Sequence, residues 1–223
     1  MPFFEPLPPL PPEPEPQQST GWVPPVWDRP SEALLGAPVG IALMLGRNAR
    51  VAIVLDTVRA YPNGFAFALG LVRNPQVPRD PMGHPFMRMG HPRGLRGPRV
   101  GFEFSNGTRV RFGGPSAPGF PGFGVATQLL AARGPGPRPR NPFGYLVDDD
   151  GVPVEPVLVP RGGGGSDDRY EMRFWCFPLP PPGPMTVFAE WFDEGIDESA
   201  KPIDADEILA AVPRVVTVWE TES

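Results

Sequence analysis

The chain of 223 residues is nearly without the groups on which most enzyme chemistry rests. It has one cysteine, Cys176, which excludes an internal disulfide framework and suits a reducing compartment. It has two histidines, His84 and His91, so the usual general acid–base partners are scarce. Lys201 is the single lysine among 20 basic residues, a bias that fits genome composition better than design. No run approaches the 18 or so apolar residues that would cross a membrane. The opening Met-Pro-Phe-Phe-Glu-Pro has neither the basic nor the apolar region of a signal peptide, and a cytosolic protein is expected.

Proline and glycine, by contrast, are abundant at 36 and 27 residues. They concentrate between short apolar runs, as punctuation of a β fold would. Residues 1–18 hold eight prolines and three glutamates and are expected to be extended and polyproline-like, within a disordered Pro-rich tail over 1–21. Pro6–Pro12 fits a P-x-x-P core, but its flank is acidic where such ligands usually carry Arg, and a solvated spacer is the plainer reading. One domain is expected over 22–223.

Several strands can be read directly. Pro38–Leu45 and Val51–Val58 are joined through Gly46-Arg47-Asn48, and Tyr61-Pro62-Asn63-Gly64 turns the chain. From Phe65 to Val72 one face carries Phe65, Phe67, Leu69 and Leu71, and the other Ala66, Ala68, Gly70 and Val72, the alternation of a core strand. Val100–Phe112 predicts a hairpin with the three-residue loop Ser105-Asn106-Gly107. That loop sets Phe102 against Val110, Val100 against Phe112 and Glu103 against Arg109, with Gly107 at positive φ. Asn106-Gly107-Thr108 is formally a glycosylation sequon, but without a secretion signal it is read as a turn. Val125–Ala132 is expected to make one or two helical turns, and Val154–Val159, broken by Pro156, an edge strand. Gly162–Gly165 reads as a flexible connector. Tyr170–Phe177 and Met185–Phe192 read as a second hairpin across a Pro-rich turn. Ile203–Pro213 predicts a helix with Asp204 as N-cap, Glu207 completing a capping box, and Ile203 stapled onto Ile208. Arg214–Trp219 reads as a closing strand. Together these give an all-β antiparallel sandwich, open to an immunoglobulin-like arrangement, with one short C-terminal helix and long Pro/Gly-rich loops.

The charge of −5 conceals a gradient: net −1 over 1–78, +8 over 79–140 and −12 over 141–223. The basic middle is expected to pair largely with the acidic third, and nothing in this balance calls for nucleic acid. The irregular segment 75–98 and the acidic cluster after Trp191 are the candidate contact surfaces for another protein: Arg88, Arg93 and Arg96 on the one, Asp193, Glu194 and Asp197 on the other. Asp193, Glu194, Asp197 and Glu198 could also be a carboxylate pair of a hydrolase acting on glycans or small polar substrates, though neighbours on a loop do not establish the spacing.

Within 75–98, Met82-Gly83-His84-Pro85 recurs as Met89-Gly90-His91-Pro92 with Met87 between. Thioether and imidazole groups together suit soft copper, making Met82, His84, Met87, Met89 and His91 a candidate metal set, opposed by the arginines of the same loop. A mobile loop born of a short duplication is the plainer account. Gly162–Gly165 lacks the Lys-Ser/Thr of a phosphate loop, and Asp148-Asp149-Asp150-Gly151 lacks the spacing of a calcium loop. No cofactor is expected. Cys176, between Trp175 and Phe177, is expected to be buried and inert.

The elements Val51–Val58, Tyr61-Pro62-Asn63-Gly64-Phe65, Gly162–Gly165, Phe174-Trp175, Pro178–Pro184 and Trp191 resemble a group of uncharacterised bacterial β-rich proteins over about residues 22–219. The resemblance implies no activity. A non-catalytic binding or accessory domain is the leading expectation.

Overall fold

The structure, a computed structural model, describes residues 25–78, 97–112 and 145–219. Its twelve strands in chain order are β1 (Leu34–Leu35), β2 (Ala37–Val39), β3 (Leu43–Arg47), β4 (Val51–Tyr61), β5 (Gly64–Arg73), β6 (Arg99–Glu103), β7 (Arg109–Phe112), β8 (Val157–Gly165), β9 (Arg169–Phe177), β10 (Pro184–Trp191), β11 (Ile196–Asp204) and β12 (Val216–Thr217). Among the described residues one α-helix, α1 (Ala205–Ala211), follows β11. The fold is an antiparallel sandwich. One sheet runs β2-β4-β5-β9-β8 with β3 also on β4, the second runs β11-β10-β6-β7, and β1 pairs with β12 in a small ribbon.

The strand order has a familiar form. Taking β4 to β11 as strands A, B, C, C′, D, E, F and G, the larger sheet contains A-B-E-D and the other is G-F-C-C′, the immunoglobulin arrangement. The chain therefore changes sheets at three places: between β5 and β6, between β7 and β8, and between β9 and β10.

The core lies between the sheets because alternation supplies it from both. Phe65, Phe67, Leu69 and Leu71 of β5 all enter it, as the large/small alternation requires. On β4 the inward set is Val51, Ile53 and Leu55, then Val58 and Ala60. The change of phase is a β-bulge: Leu55 pairs with Leu69 and Thr57 with Ala68, leaving Asp56 as the extra residue. The β6–β7 hairpin has the register expected of it, with Val100 opposite Phe112, Phe102 opposite Val110 and Glu103 opposite Arg109. Phe104 N–H donates to the Thr108 carbonyl over 2.9 Å, and Gly107 has φ +79°. A second, smaller cluster covers the outer face of the larger sheet, where Trp27, Val157, Val159 and Trp175 pack together. Trp175 Nε1 donates to the Trp27 carbonyl over 3.0 Å, tying the segment before β1 to this face.

Four expectations are corrected. Tyr170–Phe177 and Met185–Phe192 do not pair with each other: β9 lies between β5 and β8, and β10 between β6 and β11. The Pro-rich segment between them carries the chain from one sheet to the other. Gly162–Gly165 is no free connector but the second half of the edge strand β8, with Gly163 opposite Met172 and Gly165 opposite Tyr170. The closing strand is shorter than Arg214–Trp219, since Val212–Arg214 is a 3-10 turn and only Val216–Thr217 pair with β1. Asp197 and Glu198 sit on β11 rather than on a loop. The helix begins as expected, with Asp204 Oδ1 accepting from Asp206 N–H over 2.9 Å. The edge expected at Val154–Val159 is confirmed from Val157 onward, while the helical turns expected at 125–132 lie outside the described residues.

Gly64, at the β4–β5 turn, offers a test of this packing. A Cβ there would come within 2.7 Å of the Trp175 ring, and closer still to the Cys176 carbonyl, whereas one at Gly40 would meet nothing. Gly64→Ala is expected to destabilise the domain by about 2–3 kcal/mol in denaturant unfolding, with Gly40→Ala within about 0.5 kcal/mol of the parent.

Candidate functional site

The described residues divide the sandwich into two unlike ends. At one end are the β3–β4 turn, the beginning and end of the β5–β6 connection, the β8–β9 turn and the β10–β11 turn. Backbone bonds draw them together: Arg73 N–H donates to Asp168 O over 2.9 Å, and Asn74 N–H to Arg50 O over 2.7 Å. The groups displayed there are charged. Arg73 pairs with Asp168 at 2.8 Å, and Arg99, at the start of β6, pairs with Glu190 near the end of β10.

Glu194 is the central residue of this end. Phe192–Glu194 form a 3-10 turn closed by Gly195 at φ +69°. The turn sends the Glu194 side chain inward, where it is 3% exposed and meets Arg50 Nη2 at 2.7 Å. The Glu194 carbonyl accepts from Asn48 Nδ2, and the Asn48 side-chain oxygen accepts from Arg50 and Val51 N–H at 2.7 and 2.8 Å. One buried acid thus fastens the β3–β4 turn of the larger sheet to the β10–β11 turn of the smaller. Farther along the same seam Ser199 Oγ donates to the Leu45 carbonyl, joining β11 to β3. Of the acidic residues singled out in the sequence, Glu194 is therefore a structural strap, Asp193 is half-buried beside it, and Asp197 is exposed with Glu198 on β11. Glu194 is thus taken up by Arg50, and Asp197 and Glu198 are consecutive exposed residues on β11.

Arg88, Arg93 and Arg96, together with Met82, His84, Met87, Met89 and His91, lie outside the described residues. Their segment's two anchors do not: Arg73–Pro78 leads out of β5 and Gly97-Pro98 into β6. Both anchors stand at the end that carries Glu194 and Asp197. Among the described residues no group of three or more His, Cys, Asp or Glu could hold a metal ion. At the Asp148–Gly151 turn, Asp148 Oδ1 accepts from Asp150 and Val152 N–H at 3.1 and 2.8 Å, so its carboxylate closes the turn. The expected pairing of the basic middle with the acidic third is seen in Arg99–Glu190, while Glu103–Arg109 pairs within the middle and Glu194 and Asp168 draw arginines from the first third.

The other end is closed by backbone contacts and apolar groups. Ser105 Oγ donates to Pro182 O over 2.8 Å, Ala205 N–H to Gly183 O over 3.1 Å, and Asn63 Nδ2 to Val26 O over 2.7 Å. A cleft of about 500 Å³ opens there between Phe104, Thr108, Glu155, Pro156, Leu179 and Pro181. Among the described residues that line it, Glu155 is the single carboxylate.

Two titratable groups are displaced by burial. Cys176 is fully buried and its thiol is pushed far up, which keeps it from forming thiolate. Tyr145, over the outer cluster, is pushed up to about 12 by burial and then by the neighbouring Asp28 charge. Asp28 is itself buried and held by Arg29 and Arg161 at 3.3 and 3.2 Å.

These features lead to three expected outcomes. Arg50→Ala strands a buried carboxylate, whereas in Glu194→Gln the arginine, 58% exposed, turns to water. Arg50→Ala is therefore expected to cost more in urea unfolding, about 3 kcal/mol against about 1, with strong non-additivity in the double variant. Cys176 is expected to resist alkylation in the native chain and to react only as fast as the chain unfolds. Because Tyr145 is raised in the folded state, its contribution to stability is complete below about pH 10 and is lost as pH rises towards 12. Tyr145→Phe is expected to flatten that decline, read by thermal melts between pH 9 and 12.

No family model matches the chain. No solved structure matches it. A stretch of 67 residues is 42% identical to SKI family transcriptional corepressor 1 of Homo sapiens, covering 30% of this chain and 6% of that protein. Among the described residues no helix is long and apolar enough to cross a membrane.

Proposed function

We propose that the chain is a non-catalytic binding domain that meets another protein through the charged end of the sandwich. The observation that carries this reading is the convergence of the two anchors of the β5–β6 connection on the turn bearing Glu194 and on the start of β11, where Asp197 lies. In immunoglobulin-type variable domains the corresponding connections are those that recognise ligands, because a rigid sandwich holds variable loops at one end. Here the connection between the anchors is rich in arginine, and the neighbouring edge offers the exposed Asp197 and Glu198. A surface of mixed sign favours a protein partner of complementary pattern over nucleic acid. The burial of Cys176, whose thiol is pushed far up, fits a role without chemistry. A cytosolic setting accords with the single cysteine.

Site-specific photo-crosslinking in native lysate tests this. A photoreactive residue at Asp197 is expected to trap a discrete partner, with capture falling steeply between 0.1 and 0.5 M salt, as the shortening Debye length dictates. The same residue at Glu155, on the opposite end, is expected to trap little. Equal labelling from both ends, or capture indifferent to salt, would overturn the assignment.

A further inference from the structure

The chain has five asparagines: Asn48 precedes alanine, Asn74 and Asn141 precede proline, and Asn63 and Asn106 precede glycine. Asparagine before glycine is open to a reaction within the chain itself. A following residue without Cβ leaves its backbone nitrogen free to approach the side-chain amide. The two Asn-Gly pairs stand in opposite settings.

Asn106 and Gly107 are both exposed at the tip of the β6–β7 hairpin. Asn106 Oδ1 accepts from Thr108 N–H over 3.0 Å, which draws electron density from the amide carbon. Among the described residues no acceptor holds its Nδ2. A Cβ at Gly107 would meet nothing, so the space beside that backbone is open. One turn bond opposes the approach, from Gly107 N–H to the Phe104 carbonyl at 2.8 Å, and at an exposed tip such a bond opens at small free energy. Asn63 is restrained at each of these points. Its Nδ2, the group that would leave, donates to Val26 O over 2.7 Å. Gly64 is buried, pairs with Tyr61, and is crowded by the Trp175 ring and the Cys176 carbonyl. Freeing it means parting β5 from β9, at a cost near that of unfolding.

We propose that Asn106 is a self-modification site at which the chain exchanges an amide for a carboxylate, and that the fold protects Asn63 from the same reaction. The Gly107 nitrogen loses its proton and bonds to Asn106 Cγ. The bond from Cγ to Nδ2 breaks, and Nδ2 leaves as ammonia with that proton. Water then opens the cyclic imide at either carbonyl, giving aspartate or isoaspartate. Asn106 lines the cleft whose charged groups among the described residues are Arg109 and Glu155, so a balanced pair becomes a net negative site. Aspartate keeps an oxygen for the Thr108 N–H. Isoaspartate adds a carbon to the backbone of a loop whose length sets Phe102 opposite Val110.

Mass spectrometry of the full chain, aged at neutral and at mildly alkaline pH and then cut with trypsin, tests this. Cleavage after arginine places Asn106 in the peptide 100–109 and Asn63 in the peptide 60–73. The first peptide is expected to gain the mass difference between an amide and an acid and to split into two products of equal mass. Its conversion is expected to quicken at the higher pH, because the attacking nitrogen must lose a proton. The peptide holding Asn63 is expected to change about tenfold more slowly or less, since core strands open far more rarely than loop tips. In urea both are expected to convert at similar rates. Asn106→Ser is expected to abolish the acidic form that ion exchange separates from the aged native chain. A native chain in which Asn63 converts as fast as Asn106 would overturn the proposal. So would an Asn106 that stays intact for as long as urea needs to convert it, or a difference between the two that persists in urea.

Discussion

Phe102 joins the two halves of this molecule. It rises from β6 of the smaller sheet and meets Phe65 and Phe67 of β5 edge-on, at ring-centroid distances of 5.4 and 5.2 Å. Phe67 in turn stacks on Phe174 of β9 at 5.1 Å, and Phe112 of β7 meets Phe174 edge-on. Edge-to-face pairs fix orientation as well as distance, because the positive rim of one ring seeks the negative face of another. Four strands from two sheets are held by these rings. The bulge at Asp56 and the three-residue loop of the β6–β7 hairpin both serve this arrangement, since each keeps the apolar residues of its strand in phase with the core. Asp56, pushed out of the ladder, meets Arg169 across on β9.

The buried acids act on a second scale. Asp28 and Glu194 are the two buried charged groups among the described residues, and each is held by an arginine distant in sequence. Such pairs return little net stability, because desolvation offsets most of the attraction, but a stranded partner is costly. Their effect is therefore to select one arrangement of loops. Glu194 fixes how the β10–β11 turn sits on the β3–β4 turn, and Asp28 fixes how the segment entering the domain lies over Trp175 and Val159. The first of these straps sits at the end proposed to meet a partner, where a defined turn geometry matters most.

What the sequence discloses depends on how local the controlling contacts are. The β5 strand and the β6–β7 hairpin are legible because a register error of one residue would turn Phe102 or Phe67 to solvent. The N-cap of α1 is legible because Asp204 acts on an N–H two residues away. The pairing of β9 is not, since its partner β5 is about a hundred residues distant, and two apolar strands around a Pro-Gly turn look like a hairpin even when the turn crosses between sheets. Nor is β11 legible: Ile196–Asp204 lies at a sheet edge with most residues exposed, so no alternation marks it, and pairing with β10 alone makes it a strand. Glycine concealed the extent of β8 in the same way. At the candidate site the acidic cluster stood out, but which acid is buried is decided by the reversal at Gly195 and by Arg50, 144 residues earlier. Composition carries neither.

The contrast between the ends of the sandwich bears on function through the cost of rearrangement. The end around Pro178–Gly183 is held by backbone bonds and by rings and prolines that would have to be exposed to move, and the β10–β11 turn is fastened by Glu194. Beside that strap, Arg73–Asp168 and Arg99–Glu190 each have a member half exposed to water. Exposed pairs of this kind contribute at most about 1 kcal/mol, so a partner that offers its own charges can replace them at small expense. A rigid frame with a fixed turn and exchangeable charges around it is a sound basis for selective but reversible association.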